Sequence, residues 1–313
     1  MSQGTTFYYE WEVRLIEWIQ SHMGAIGAPL ASFFTMLGEP VVLVAIIGFI
    51  YWCYDKDFGR FIGINILVGL VLNPMIKNIA VRRRPYFDNP SIKCLRKVSS
   101  DGELYDVAAQ GYSFPSAHSM NSAIVYGSIA AYKKKKLFIA LAIVLPILVA
   151  ASRFSLGVHY PTDVLVGLIT GVLIIFGISF LMKKVKRLEI IYAVFVAISL
   201  IGVIYCRTED FYTGLGLMIG FFSADIFERR HVNFRSTRNP VICVIRIVGG
   251  FATYFALSFL LKIPFSEEFL ESSSMGSFSV RAMRYAIIAF VAFGLYPMLF
   301  PKIEKLVTGR RQH

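Results

Sequence analysis

Apolar stretches of about 20 residues, each long enough to cross the hydrocarbon core of a bilayer as a helix, recur nine times along the chain. They lie at roughly 39–54, 59–80, 114–132, 137–156, 161–182, 189–206, 211–227, 241–262 and 281–300. Lipid offers no partner to a backbone N–H or C=O, so a chain of this kind has to satisfy those groups within each segment, and a bundle of helices is the solution. The shorter apolar piece from Gly24 to Leu37 is either a further span or a segment that dips in and returns, so the count of nine is open by one. Ahead of it, Tyr8, Trp11, Leu15 and Trp18 recur at helical spacing with Glu10, Arg14 and Glu17 between them, which predicts an amphipathic helix lying in the membrane interface. Only 17% of the residues are charged and 56% are hydrophobic, against roughly 25% charged in an average soluble domain. Disorder and a polar-surfaced soluble enzyme are both excluded.

The net charge of +12 would suggest nucleic acid in a soluble chain. In a membrane chain it records topology instead, because loops kept in the cytoplasm are enriched in Lys and Arg, and no nucleic-acid partner is expected. Lys133 to Lys136, then Lys183, Lys184, Lys186 and Arg187, then Arg229, Arg230, Arg235 and Arg238, then Lys302, Lys305, Arg310 and Arg311 follow every second stretch. They are assigned to the cytoplasm together with the C-terminus, and the acidic loops at Glu209–Asp210 and Glu267 to Glu271 to the other side. The exception is the loop 81–113, which carries Arg82, Arg83, Arg84, Lys93, Arg96 and Lys97 on the outer face and so calls for a second explanation. Cys53, Cys94, Cys206 and Cys243 are far apart without a CxxC, which signals neither a zinc site nor a disulfide framework; a single Cys94–Cys206 bridge is the one pairing left open. Met1 to Thr6 lack the features of a cleaved secretory signal, so the N-terminus is read as mature.

Three clusters carry chemistry, and each falls at the outer end of a stretch. In Lys77-x6-Arg84-Pro85 the cations are almost two helical turns apart, so both can project from one face. In Pro115-Ser116-Ala117-His118, Ser116 is placed to cap a helix whose first-turn N–H groups and dipole favour phosphate, with His118 in reach of the same point. In Ser152-Arg153-x5-His159-x3-Asp163, flanked by Gly157 and Pro161, the carboxylate can hold one imidazole nitrogen and leave the other open to attack, while Arg153 clamps phosphate oxygens. Each alone has an ordinary explanation as a membrane-edge anchor, a helix cap or an interfacial pair. At residue frequencies of roughly one in twenty, all three in order by chance is on the order of one in a million. Three cations, two histidines and one carboxylate at one membrane face describe a phosphoryl-transfer site, and no carboxylate cluster suited to Mg²⁺ accompanies them.

These three motifs resemble the signatures of the type 2 phosphatidic acid phosphatase (PAP2) superfamily, over roughly residues 40–182. Position 117 is Ala where that family usually has Gly, a change that keeps the backbone N–H. The resemblance implies an all-α polytopic membrane bundle, a six-helix core with about three to four additional C-terminal spans. It implies that His159 attacks phosphorus, that Asp163 orients and stabilises its imidazolium, and that His118 protonates the leaving group and then activates water. Lys77, Arg84, Ser116, Ala117 and Arg153 would bind the phosphate oxygens, with no metal and no cofactor.

The expected organisation is an interfacial segment 1–38, a catalytic core 39–182 and a transmembrane extension 183–313. The expected function is hydrolysis of a lipid phosphate or diphosphate, of undecaprenyl-diphosphate or phosphatidic-acid type, at the extracytoplasmic face of the plasma membrane. A glucose-6-phosphatase-like hydrolase of a soluble phosphomonoester and a non-enzymatic lipid or phosphate carrier are the alternatives. Asp225 and Arg246 lie inside predicted spans and are expected to pair with each other across neighbouring helices. His22, His231 and His313 have no motif around them and are read as surface residues.

Overall fold

The structure is a computed structural model that describes residues 4–99 and 102–309. The described residues are all-helical, with 78% in helices and no strand. All nine apolar stretches are helices. They follow α1 (Glu10–His22) and α2 (Gly24–Met36), and run as α3 (Pro40–Phe49, continued by a π turn to Tyr54), α4 (Lys56–Ala80), α5 (Ala117–Lys133), α6 (Lys136–Ser155), α7 (Pro161–Lys184), α8 (Leu188–Tyr205), α9 (Glu209–Phe227), α10 (Pro240–Leu260) and α11 (Met275–Phe290, extended by irregular turns to Thr308).

Among the described residues, six of these, α4, α6, α7, α8, α10 and the extended α11, are long and apolar enough to cross a membrane, fewer than the nine expected. α3 is apolar but falls short in length, and α5, with 17 residues, and α9 carry polar groups. Both α5 and α9 are packed inside protein, and burial there tolerates Ser119, Asn121, Ser122 and Ser128 in α5 and Asp225 in α9. Lipid-facing surface lies elsewhere, where Phe176 and Ile204 are 70% and 76% exposed on α7 and α8.

Two compact units divide the chain. The first comprises residues up to Leu43 and Leu72–Ser179, the second Val44–Val71 and everything from Phe180 onward. Residues 44–71, read from sequence with the 39–182 core, therefore group with the C-terminal helices, while α1 and α2 group with the three motifs.

In the first unit α5 lies against both α6 and α7, the latter through a Gly-x3-Gly stripe that lets backbones approach closely. A Cβ on Gly167 would sit 2.6 Å from the Ser116 carbonyl oxygen, and one on Gly171 would sit 2.8 Å from that of Met120. Gly167→Ala should therefore lower the thermal midpoint in detergent, a cost of about 1–3 kcal/mol for overpacking, whereas Gly177→Ala, with open space around its Cβ, should leave it unchanged.

α1 buries Glu12, Val13 and Ile16 and exposes Trp11 and Trp18, so its aromatic stripe faces outward, as an interfacial helix requires, and a carboxylate points inward. Val13, Ile16 and Ala31 join Tyr86, Ile92, Leu156, Val158 and Tyr160 in an apolar cluster of this unit.

In the second unit Gly216 and Gly220 of α9 meet α11 with so little room that a Cβ would lie 2.2 Å from the carbonyl oxygens of Ala282 and Ala286. The expected Asp225–Arg246 pair does not form. Asp225 is held instead by Arg60, by Arg229 Nε at 2.9 Å and by the Tyr192 hydroxyl at 2.9 Å. Arg246 donates to the carbonyls of Trp52 and Arg235, stacks on Phe300 and lies 3.5 Å from Glu304 Oε2. All four cysteines are free thiols, so the Cys94–Cys206 bridge is absent. His22 and His231 are exposed. His313, Arg310, Arg311 and the first three residues lie outside the described residues.

Candidate active site

The three motifs converge within the first unit. The connection from α6 to α7 turns at Gly157, whose φ of +74° and close approach to the Lys93 carbonyl exclude a side chain. This turn delivers His159, which is 2% exposed. Its Nδ1 lies 3.4 Å from Asp163 Oδ2, off the line of a hydrogen bond, and its Nε2 lies 3.3 Å from Arg84 Nη1. Burial, and then the positive charges of Arg84, Arg153 and Lys77, push the His159 imidazole well below its ordinary range. The ring is thus neutral near pH 7, with one nitrogen turned to a carboxylate and the other to a guanidinium.

Arg84 leaves the end of α4 by way of Val81, a β-branched residue held at φ +44°. Its Nε donates to the carbonyls of Gln110 and Gly111, its Nη1 to that of Val158 at 2.9 Å and its Nη2 to that of Tyr112 at 3.4 Å. Lys77, half-buried in the last turn of α4, acts electrostatically on His159.

Ser116 caps α5 as expected, its Oγ accepting from Ser119 N, and its own N–H donates to the Asp163 carbonyl at 3.0 Å, which ties the second motif to the third. Ala117 and His118 form the first turn of α5, and His118 is close enough to act on His159. Gly38 packs closely against this turn, since a Cβ there would come 3.0 Å from the His118 carbonyl oxygen. Arg153, in the last turn of α6, donates from Nη1 to Thr35 Oγ1 at 2.7 Å, while its buried Nε has no hydrogen-bond partner among the described residues. The structure thus brings His159, Asp163, Arg84 and Ser116 into direct contact, with Lys77, His118 and Arg153 near enough to His159 to act on it electrostatically.

Two further residues stand behind Asp163. Arg82 donates to Asp163 Oδ1 at 2.6 Å and to Glu12 Oε2 at 2.7 Å, and Glu12 Oε1 accepts from both the N–H and the hydroxyl of Thr162. Burial opposes the charge on Glu12, but the bonds from Thr162 and Tyr9 and the charge of Arg82 outweigh it and hold this carboxyl below its usual range. The sequence marked Arg82 only as part of a basic loop, and for Glu12 the available signal was a carboxylate on the face of α1 opposite its tryptophans. Among the described residues no three His, Cys, Asp or Glu side chains group to hold a metal ion.

Residues 58–187, which contain all three motifs, match the PAP2 superfamily, and residues 212–308 match the transmembrane extension of PAP2 superfamily phosphatases. A curated protein, phosphatidylglycerophosphatase B of Bacillus subtilis (strain 168), is 42% identical over 90 residues, which cover 26% of this chain and 44% of that protein. The match thus spans less than half the length of this relative. No solved structure matches.

Proposed function

The chain belongs to the PAP2 superfamily, and from that membership and the site above we propose that it is an integral-membrane phosphatase acting on a lipid phosphomonoester or diphosphate through a phospho-histidine. The observation that carries the proposal is the placement of His159, buried, with Nδ1 toward Asp163 and Nε2 beside Arg84. Nε2 attacks phosphorus, the bond from phosphorus to the lipid oxygen breaks, and His118 gives that oxygen its proton. Water deprotonated by His118 then attacks the phosphorus, the N–P bond breaks, and inorganic phosphate leaves. Lys77, Arg84, Arg153, Ser116 and the first-turn amides of α5 hold the three equatorial oxygens as charge shifts onto them.

A lipid is favoured over a soluble sugar phosphate by the positions of the motif residues at helix ends, where a headgroup arrives without leaving the bilayer. The name of the Bacillus subtilis relative points to a phosphorylated phosphatidylglycerol as the first substrate to try. The distribution of Lys and Arg between loops supports an extracytoplasmic site and a cytoplasmic C-terminus in the plasma membrane.

The test is phosphate release by the purified protein from phosphatidylglycerophosphate, phosphatidic acid and undecaprenyl diphosphate in mixed micelles, compared with glucose 6-phosphate. The expected result is a kcat/KM at least tenfold higher for one of the lipids. A preference for the sugar phosphate would overturn the lipid assignment, and no release from any substrate would favour a carrier. The same assay carries a pH signature. Attack requires neutral His159, and a depressed imidazole becomes protonated only at lower pH. The acid limb of kcat/KM due to this residue is therefore expected below pH 6.5, the ordinary histidine value.

A further inference from the structure

We propose that Glu12 and Arg82 are positioning residues for the His159–Asp163 pair, and that the buried Glu12–Arg82–Asp163 triad supplies the net negative charge which the phosphorylated imidazole of His159 requires. The inference rests on the phosphatase reading and adds two residues that the motif patterns leave unspecified, Arg82 within the x6 stretch of the first motif and Glu12 in α1, beyond the region 58–187 that matches the superfamily.

The geometry is closed on every side. Asp163 is fully buried; its Oδ1 takes the Arg82 bond and its Oδ2 accepts the Tyr160 N–H at 2.7 Å, which fixes the carboxylate with Oδ2 toward His159 Nδ1. Arg82, 1% exposed, uses all three of its nitrogens. Nε donates to the Phe7 carbonyl at 2.7 Å, Nη1 to Thr162 Oγ1 and Asp163, and Nη2 to Glu12. Its guanidinium lies over the Tyr160 ring at 4.0 Å and the Phe7 ring at 4.7 Å. The backbone enforces the placement, since Val81 turns the chain at the end of α4 and Thr5 bonds to residues 81 and 83 on either side of Arg82. Glu12 has no exposure, and both of its oxygens are engaged, Oε2 also accepting the Tyr9 N–H.

Charge explains why two carboxylates are present. Arg82 alone would cancel Asp163, and His159 would face a neutral pair while surrounded by the cations Arg84, Arg153 and Lys77. With Glu12 the triad carries one net negative charge in a desolvated setting where charges interact strongly. That charge has little to act on while the imidazole is neutral. It gains its effect as the ring becomes cationic on attack, so it should act on turnover more than on substrate binding.

The test compares E12Q and E12D with the unaltered protein in detergent, reading kcat, KM, and inhibition by vanadate and by inorganic phosphate. E12Q is expected to lose about 10–100-fold in kcat, the loss typical when a group orienting a functional histidine is removed. KM and phosphate inhibition should stay within twofold, vanadate inhibition should weaken in parallel with kcat, and E12D should recover part of the loss. If E12Q is not recovered folded, R82K carries the test, because one ammonium cannot span both carboxylates, and the same kcat-only loss is expected. Unchanged kcat in the folded variant, or equal losses in kcat, KM and phosphate inhibition, would overturn the proposal. An unaltered protein that releases no phosphate would overturn the phosphatase reading itself.

Discussion

His159→Ala is expected to lower phosphate release from the preferred lipid by at least about 10⁴-fold, the scale seen when a covalent nucleophile is removed from a site whose other parts remain. Arg84 is held by backbone carbonyls in addition to its contact with the imidazole, and Arg153 is anchored by Thr35, so the phosphate clamp should survive the substitution. Inhibition by inorganic phosphate should accordingly persist, while inhibition by vanadate, which draws on a bond to Nε2, should disappear. A rapid quench into alkali after mixing with radiolabelled lipid phosphate should trap label on the unaltered protein and none on the variant. Activity within tenfold of the unaltered protein would remove His159 from the nucleophile's role and with it the phospho-histidine. His118→Ala separates the two histidines. If His118 serves as the acid and then as the base, that variant should be slow in both steps and should keep trapped label on a substrate whose leaving group needs no proton.

The sequence made the membrane helices and the motif residues legible because both are local. A helix follows from twenty consecutive apolar residues, and Ser116 and Asp163 announce their roles through neighbours three or four positions away. What escaped is set by contacts between distant segments. Arg82 reaches Glu12 across 70 positions, and Glu12 reaches Thr162 across 150. For Asp225 the sequence offered Arg246, whereas its partners are Arg60, 165 positions away near the start of α4, and Arg229 one turn on. An intramembrane charge tells that a partner exists; which partner depends on helix rotation and register. Polarity in α5 and α9 lowered their membrane signal for the same reason, since those helices are surrounded by protein and not by lipid.

The Glu12 contact also changes how the N-terminal segment is regarded. From its periodicity α1 is an interfacial anchor, and its exposed Trp11 and Trp18 fit that role. Its opposite face carries Glu12 into hydrogen bonds with the residue just before Asp163, and Gln20 of the same helix donates to the carbonyls of Lys93 and Ser155 on either side of the Gly157 turn. On the proposed reading, one helix would hold both the membrane surface and the loop that presents His159, which would couple the depth of the headgroup to the position of the attacking nitrogen.

Arg84→Lys should be nearly as damaging as loss of an oxyanion donor, about 10²–10³ in kcat, although it conserves charge. The guanidinium plane is fixed by carbonyls from two separate segments, Gln110, Gly111 and Tyr112 on one side and Val158 on the other. An ammonium is a point charge with three donors and cannot reach these acceptors while also lying 3.3 Å from His159 Nε2. The carbonyls it abandons are buried and cost about 1–3 kcal/mol each when unsatisfied, so the thermal midpoint should fall as well. If Arg84 acted only as a positive charge that draws in the anionic headgroup, the variant would keep its kcat, and any loss would appear in KM and grow with ionic strength. If it positions oxygens as charge develops, kcat and vanadate inhibition should fall together and added salt should change little. The second pattern follows from a cation so deeply buried and so fully committed to backbone, because only a rigid donor placed beforehand can bind the transferring phosphoryl group more tightly than the substrate.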